Sequence, residues 1–221
     1  KPICLTDLEF LKIKKCLKKN PQIKISSNFV LRTKKTLIHL KKIIEQKKMG
    51  KTYYFEGDYN FGRLEKIIKS WRGNIPFYSV MHGGGLHLID LLLWMNNTKV
   101  LKVSAEGNNL STKNTQFKYN DLITSILKFK DGTIAKVTAN FGSVMPHHHI
   151  LNVYGTKGSF IHNLREDLFY NSRELNKRPK KIHFKDNYKN KGDILKSFIN
   201  SVKYKKKMYC FKIRCFGLYG C

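Results

Sequence analysis

From Thr52 onward the apolar residues stop recurring every third or fourth position and begin to alternate, and this change of period is the tightest constraint on the fold of the 221 residues. The run TYYFEGDYNF, 52–61, alternates and is rich in aromatic residues, as a strand with one face on a core should be. After an oily helical stretch at about 84–95 come VLKVSAEG, then ITSILKFK and TIAKVTANF, the last two joined by Asp131-Gly132, a strong hairpin signal. HILNVYG and SFIHN flank Thr156-Lys157, and DLFYNS and KKIHFKD follow as shorter candidates. Strand following strand without a regular helix between them predicts an α+β chain with one large, mostly antiparallel open sheet and helices on one face. A doubly wound domain would alternate strand and helix instead.

The first fifty residues read differently. Thr6 and Glu9 form a capping-box pattern, and Leu8, Ile13 and Leu17 recur near helical spacing until Asn20-Pro21, which predicts a helix over about 6–19. IKISSNFVLR, 23–32, reads as a strand leading into a connector. Leu37, Leu40, Ile43 and Ile44 form one stripe of a helix that stops at Met49-Gly50, and Ile194, Leu195, Phe198, Ile199 and Val202 define a last amphipathic helix. Three parts result: a short α/β remnant over 1–31, the α+β domain over 32–203, and an irregular tail over 204–221 that holds three of the five cysteines. A chain that begins on Lys1 and not on Met is expected to be part of a longer product.

Forty-three Lys and Arg against fifteen Asp and Glu give a net charge of +28, a value that raises nucleic acid or an anionic membrane as partner. The lysines are strewn along the whole chain beside many Asn, Ile, Tyr and Phe, so they coat every exposed face and build no stripe. No aromatic-plus-basic RNA signature and no zinc spacing accompanies them, so nucleic acid is not the expected partner. A nucleic-acid reading would require one contiguous basic face and a steep fall of affinity with salt. The odd cysteine count without a CxxC pair speaks against a disulfide framework or a zinc site. No run reaches the ~18–20 apolar residues of a membrane span and no signal peptide opens the chain, so a cytoplasmic protein is expected.

Chemistry concentrates in GGGLHLIDLLLW, 83–94. A helix starting near Gly85 places His87, Asp90, Leu91 and Trp94 on one side and Leu86, Ile89 and Leu93 on another, and both sides are apolar. Such a helix is packed all round, so His87 and Asp90 go inward with it unless they line a cavity. A buried carboxylate needs a partner, for which His87, one turn away, is the nearest candidate; the two are then either a structural pair or part of a site. Gly83, Gly84 and Gly85 cost helix propensity and add no packing, so a tight approach of the backbone to something else, a ligand or merely a tight loop, is their natural reason. A free helix N-terminus there would also suit a polar or anionic substrate. His147, His148 and His149 lack a third ligand of suitable spacing, and no metal is expected; packing or a substrate contact is the reading for them.

In this order the residues resemble the Gfo/Idh/MocA oxidoreductases, the family of glucose-fructose oxidoreductase and inositol 2-dehydrogenase, over roughly residues 1–203. Lys1-Pro2 resembles the end of that family's Glu-Lys-Pro motif, and the helix and strand through SSNFVLR resemble the close of its dinucleotide-binding domain. Trp71-Arg72 resembles a Trp-Arg pair on the approach to the active site, GGGLHLIDLLLW the helix bearing His-x-x-Asp, and VYGTKGSF, 153–160, a strand pair that follows it. The resemblance implies an NAD(P)-dependent oxidation of a sugar or nucleotide-sugar hydroxyl, with Lys1 the catalytic lysine and His87 the base. It implies that Asp90 orients substrate or His87, that Trp71 and Arg72 shape the substrate pocket, and that Lys1, Pro2 and Arg32 lie on the cofactor side, Arg32 at the connector between domains. It departs from the family pattern at Gly83, where many members carry Asp, a loss His82 covers in part as a substrate-binding residue. No GxGxxG follows a strand anywhere in the chain, so NAD or NADP binding by these residues alone is not expected, and Gly155-Thr156-Lys157-Gly158 reads as a turn. Non-catalytic scaffolding or homo-oligomerisation through the bare sheet face is the alternative.

Overall fold

The computed structural model describes residues 2–184 and 192–204. Helix α1, Asp7–Lys19, starts on the predicted capping box: the Thr6 hydroxyl accepts from the Glu9 N–H, and the Glu9 carboxylate accepts from Thr6 in return. That carboxylate also takes the Leu5 N–H, and these backbone donors hold the Glu9 carboxyl below its ordinary range. Residues 23–32 form no strand; a strand needs a ladder partner, and this segment has none among the described residues. It closes instead in a 3-10 turn, Val30–Thr33, which buries Leu31 and Arg32. Helix α2, Lys35–Glu45, follows and buries Thr36, Leu37, Leu40 and Ile43.

Strand β1, Thr52–Asn60, opens the sheet, after which two short turns of helix, α3, Glu65–Ile68, and α4, Trp71–Asn74, lead to a π-helical turn, Met81–Gly85, and helix α5, Leu86–Asn96. Strands β2, Val100–Asn108, β3, Leu122–Phe129, β4, Ile134–Asn140, β5, His148–Gly155, β6, Ser159–His162, β7, Asp167–Tyr170, and β8, Lys180–Lys181, then run on, and helix α6, Asp193–Lys203, ends the described chain. The eight strands make one sheet in the order β2-β3-β4-β1-β5-β6-β7-β8. Every neighbouring pair is antiparallel except β1 with β4. The turn between β3 and β4 depends on Gly132, whose φ of +86° is open to glycine at little cost.

Alternation decides the faces. Phe55 and Tyr59 of β1 pair in register with Ala135 and Ala139 of β4 and with Val153 and His149 of β5, and all lie on the side that α5 and α2 cover. Tyr54, Glu56 and Asp58 point the other way, where Tyr54 stacks on Tyr154 with centroids 5.8 Å apart. On that face Lys136 reaches Glu56 at 2.6 Å and Asp58 at 3.1 Å, and Asn152 donates to Glu56 at 2.9 Å. The helices therefore stand on one face, as predicted for an open sheet.

The glycine run owes its composition to this packing. A Cβ on Gly84 would fall 2.4 Å from Tyr59 Cδ1 and 2.9 Å from Phe141, one on Gly83 2.1 Å from the Tyr78 hydroxyl, and one on Gly85 2.1 Å from Met81 Sδ. The backbone thus approaches the chain's own aromatic rings closely, and a ligand is not what fills the space. No free helix N-terminus lies at Gly85 either: the helical path is already under way at Val80, and the Leu86 N–H is taken by the Met81 and Gly84 carbonyls. Gly84→Ala is expected to destabilise the fold by about 1–3 kcal/mol, because both rings belong to a packed wall that cannot step back. Urea denaturation of the variant reads this directly, and an unchanged midpoint would refute the packing role.

Candidate active site

The helix side of β1, β4 and β5 ends in a cluster of rings around Tyr59. Its ring lies 4.9 Å from His149, 5.1 Å from His147, 5.6 Å from Phe141 and 6.1 Å from both Phe61 and His87, the last nearly parallel at 1°. Register places these residues: Tyr59 is opposite Ala139 and His149, so the small alanine leaves the room that the rings occupy. Extended backbone at 147–149 puts His147 and His149 on one side, with ring centroids 5.3 Å apart.

Burial sets the protonation of this cluster. His149 is pushed down to about 2, first by desolvation and then by Lys34 and the neighbouring histidines, so its ring is neutral. His147 is lowered by the same burial, and its Nδ1 stands 3.0 Å from the Asn60 carbonyl. A carbonyl only accepts, so Nδ1 carries the proton and Nε2 is the acceptor. Burial raises the Tyr59 hydroxyl to about 12 and raises Tyr78 as well, so both stay protonated and can donate. His82 is lowered by burial, and its Nδ1 is enclosed without a hydrogen-bond partner.

Asp90 is only 2% exposed, and its partner is Arg32, 58 residues away, rather than the nearer His87. Arg32 Nε donates to one oxygen at 2.7 Å and Nη2 to the other at 2.5 Å, a bidentate pair that ties the connector to α5. Beside it a cavity of about 330 Å³ opens between the N-terminal segment, α5 and the helix side of β2 and β3, lined by Pro2, Cys4, Phe29, His82, Leu86 and Ile89 among others. His87 and Asp90 are not among its lining residues.

The family model described as the GFO/IDH/MocA C-terminal domain matches residues 37–161, more than half of the chain. The chain belongs to the GFO/IDH/MocA family. Its fold agrees with solved structures at low identity. A protein assigned as an NADPH-dependent oxidoreductase from Desulfitobacterium hafniense superposes with a TM-score of 0.79 at 20% identity, over 93% of this chain and 62% of that one. For myo-inositol 2-dehydrogenase from Lactobacillus plantarum the TM-score is 0.75 at 20% identity, over 93% and 62%. For UDP-N-acetylglucosamine 3-dehydrogenase from Acidithiobacillus ferrooxidans it is 0.70 at 14% identity, over 99% and 64%. The chain thus spans less than two thirds of the length of each of these three relatives. No curated protein matches it by sequence.

Within this GFO/IDH/MocA chain the residues singled out by sequence are distributed over two places. His87 joins the ring cluster, in contact with Tyr59, with Phe29 at 6.3 Å and with His149 at 6.3 Å. Arg72 stacks on Trp71 at 4.6 Å and hydrogen-bonds Tyr78, at the cluster's edge, while Trp71 itself is 59% exposed. His82 and Pro2 line the cavity, and Arg32 and Asp90 satisfy each other. Lys1 and the tail from 205 onward lie outside the described residues, as does the end of the KKIHFKD segment. Sequence reasoning passed over Tyr59, Phe61, Tyr78 and Phe141; the period-two pattern put Tyr59 and Phe61 on one face, but nothing in it marked that face as the wall of a site.

A dinucleotide does not fit the described residues. Each glycine of the Gly83–Gly85 turn is filled by a side chain of the protein, Arg32 is engaged by Asp90, and the cavity wall is mostly apolar, so no cradle for a pyrophosphate exists here. Among the described residues no helix is long and apolar enough to cross a membrane, and no cluster of ligating side chains could hold a metal.

Proposed function

We propose that this chain supplies the substrate-binding half of an NAD(P)-dependent oxidoreductase that oxidises a hydroxyl of a sugar or nucleotide-sugar. The observation that carries the reading is His87 seated on a family-type helix against Tyr59 and His149, with His147 packed on both, a wall of rings with neutral donors and acceptors. Rings of this kind suit the apolar face of a sugar, and the polar edges of Tyr59 and His147 suit its hydroxyls. His87 takes the hydroxyl proton in this reading, Lys1 holds the hydroxyl, and Trp71 and Arg72 bound the pocket, while His82 lines the apolar cavity. Asp90 acts through Arg32, fixing the axis of α5 and with it the place of His87. The nicotinamide, NAD or NADP, would be held by chain outside these residues, with Pro2 and Arg32 on its side of the site, and the protein would work in the cytoplasm.

The test is turnover with the dinucleotide-binding half supplied, followed as reduced nicotinamide at 340 nm. His87→Ala is expected to lower kcat by about 10²–10⁴-fold, the usual contribution of a positioned base. Full activity of the variant would remove His87 from that role. The second reading is a non-catalytic assembly module, favoured by the engagement of both Asp90 oxygens and by the sheet face that no described helix covers. In that reading a second copy packs on Tyr54, Tyr154 and Lys136, and sedimentation of Tyr54→Lys against the parent chain would show loss of a dimer.

A further inference from the structure

The two edges of the sheet are unlike. At one, β8 is only two residues long, Lys180–Lys181, too short and too charged to recruit another strand. At the other, β2 runs for nine residues without a proline, and its one register shift lies at its start, between Val100 and Lys102. The ladder to β3 uses one side of the β2 backbone, and among the described residues no strand lies on the other side. All of residues 101–108 are exposed, Leu101 at 64% and Val103 at 53%. A long, regular edge of this kind presents unpaired N–H and C=O groups to any strand of matching pattern. Its charges also lack counter-charges: Lys102 is opposite Lys128 in register, and Glu106, opposite Thr124, takes part in no ion pair among the described residues.

We propose that β2 pairs antiparallel with β2 of a second copy of this chain, joining two sheets edge to edge about a two-fold axis through Ser104. The register follows from the residue pattern. Opposed residues in an antiparallel pair turn their N–H and C=O groups the same way, so a strand meets its own copy across a residue and not between two residues. Near the middle of β2 the axis can pass through Val103, Ser104 or Ala105. At Val103 it sets Lys102 against Ser104, and at Ala105 it sets Lys102 against Asn108; only at Ser104 does Lys102 face Glu106, once on each side of the axis. The same register sets Val103 against Ala105 on the helix side of the sheet, where both are now exposed to water. Each Lys102 gains a carboxylate that offsets Lys128. This self-complementary charge favours a second copy over an unrelated strand. The contact is the rim of the sheet and not the face that carries Tyr54, and it does not depend on the catalytic reading.

Sedimentation velocity of the 221-residue chain over a range of concentrations is expected to show a monomer–dimer equilibrium. Lys102→Glu and Glu106→Lys each set like charges opposite one another twice, and each should raise the dissociation constant at least about tenfold. The two single variants mixed in equal amounts should dimerise again, because each supplies the charge that the other needs. The double variant Lys102→Glu with Glu106→Lys, which exchanges the pair, should dimerise by itself. Both positions are exposed, so the urea midpoints of the variants should match the parent. Tyr54→Lys should leave this dimer intact. A parent chain that stays monomeric, or a mixture no more associated than either variant alone, overturns the proposal. A dimer lost on Tyr54→Lys and kept in both charge variants overturns it too and assigns the contact to the sheet face. Turnover and its dependence on His87 are read separately, so the catalytic reading stands or falls on its own test.

Discussion

Arg32→Met is expected to lower the unfolding free energy by about 3–5 kcal/mol, the effect of stranding one partner of a buried ion pair. Asp90 lies inside a helix whose every side is packed, at 2% exposure, and both of its oxygens accept from this one guanidinium. Removing Arg32 takes two charged donors from a carboxylate on an otherwise apolar helix. A loss of that size is a large share of the ~5–15 kcal/mol by which domains are stable at all. The double variant Arg32→Met with Asp90→Leu should regain most of it, because apolar groups of similar volume need no partner. Chemical denaturation of the parent, both single variants and the double completes the cycle. Additive losses would mean that the pair is not coupled and that the connector is held to α5 by packing alone.

The fold should also lose stability in acid through one identifiable side chain. His149 has its folded-state value depressed to about 2 from an ordinary 6.5, so the unfolded chain binds its proton first. The contribution is complete above pH 6.5 and falls away as pH drops from 6.5 toward 2, by about 1.4 kcal/mol per pH unit. At pH 4.5 the loss from this ring alone is about 3 kcal/mol. His149→Phe fills the same place without a titrating group and should flatten the dependence of the urea midpoint over that window. His147, His82 and His39, all lowered by burial, contribute in the same direction and leave a residual slope in the variant. Parallel midpoint curves for parent and variant would exclude His149 as the acid-sensitive group.

The α+β class, the hairpin at Asp131-Gly132, the capped first helix and the buried, mostly apolar α5 follow from local pattern, because period, capping and turn chemistry act over a few residues and are written in order along the chain. The residues 23–32 misled, since a run of apolar and small residues becomes a strand only beside a ladder partner, and whether one is present is not a local property. The site divides in the same way. His87 and Asp90 stood out as polar groups on an apolar helix, yet the partner of Asp90 lies 58 residues upstream, Gly83 and Gly84 answer to Tyr78, Tyr59 and Phe141, and Gly85 answers to Met81. The sequence by itself determined which segments alternate, which coil and which polar groups must be buried. Only the tertiary structure decided which distant groups satisfy them, because pairing in a core depends on the register of β1 with β4 and β5 and on where α5 crosses them, and neither leaves a periodic trace.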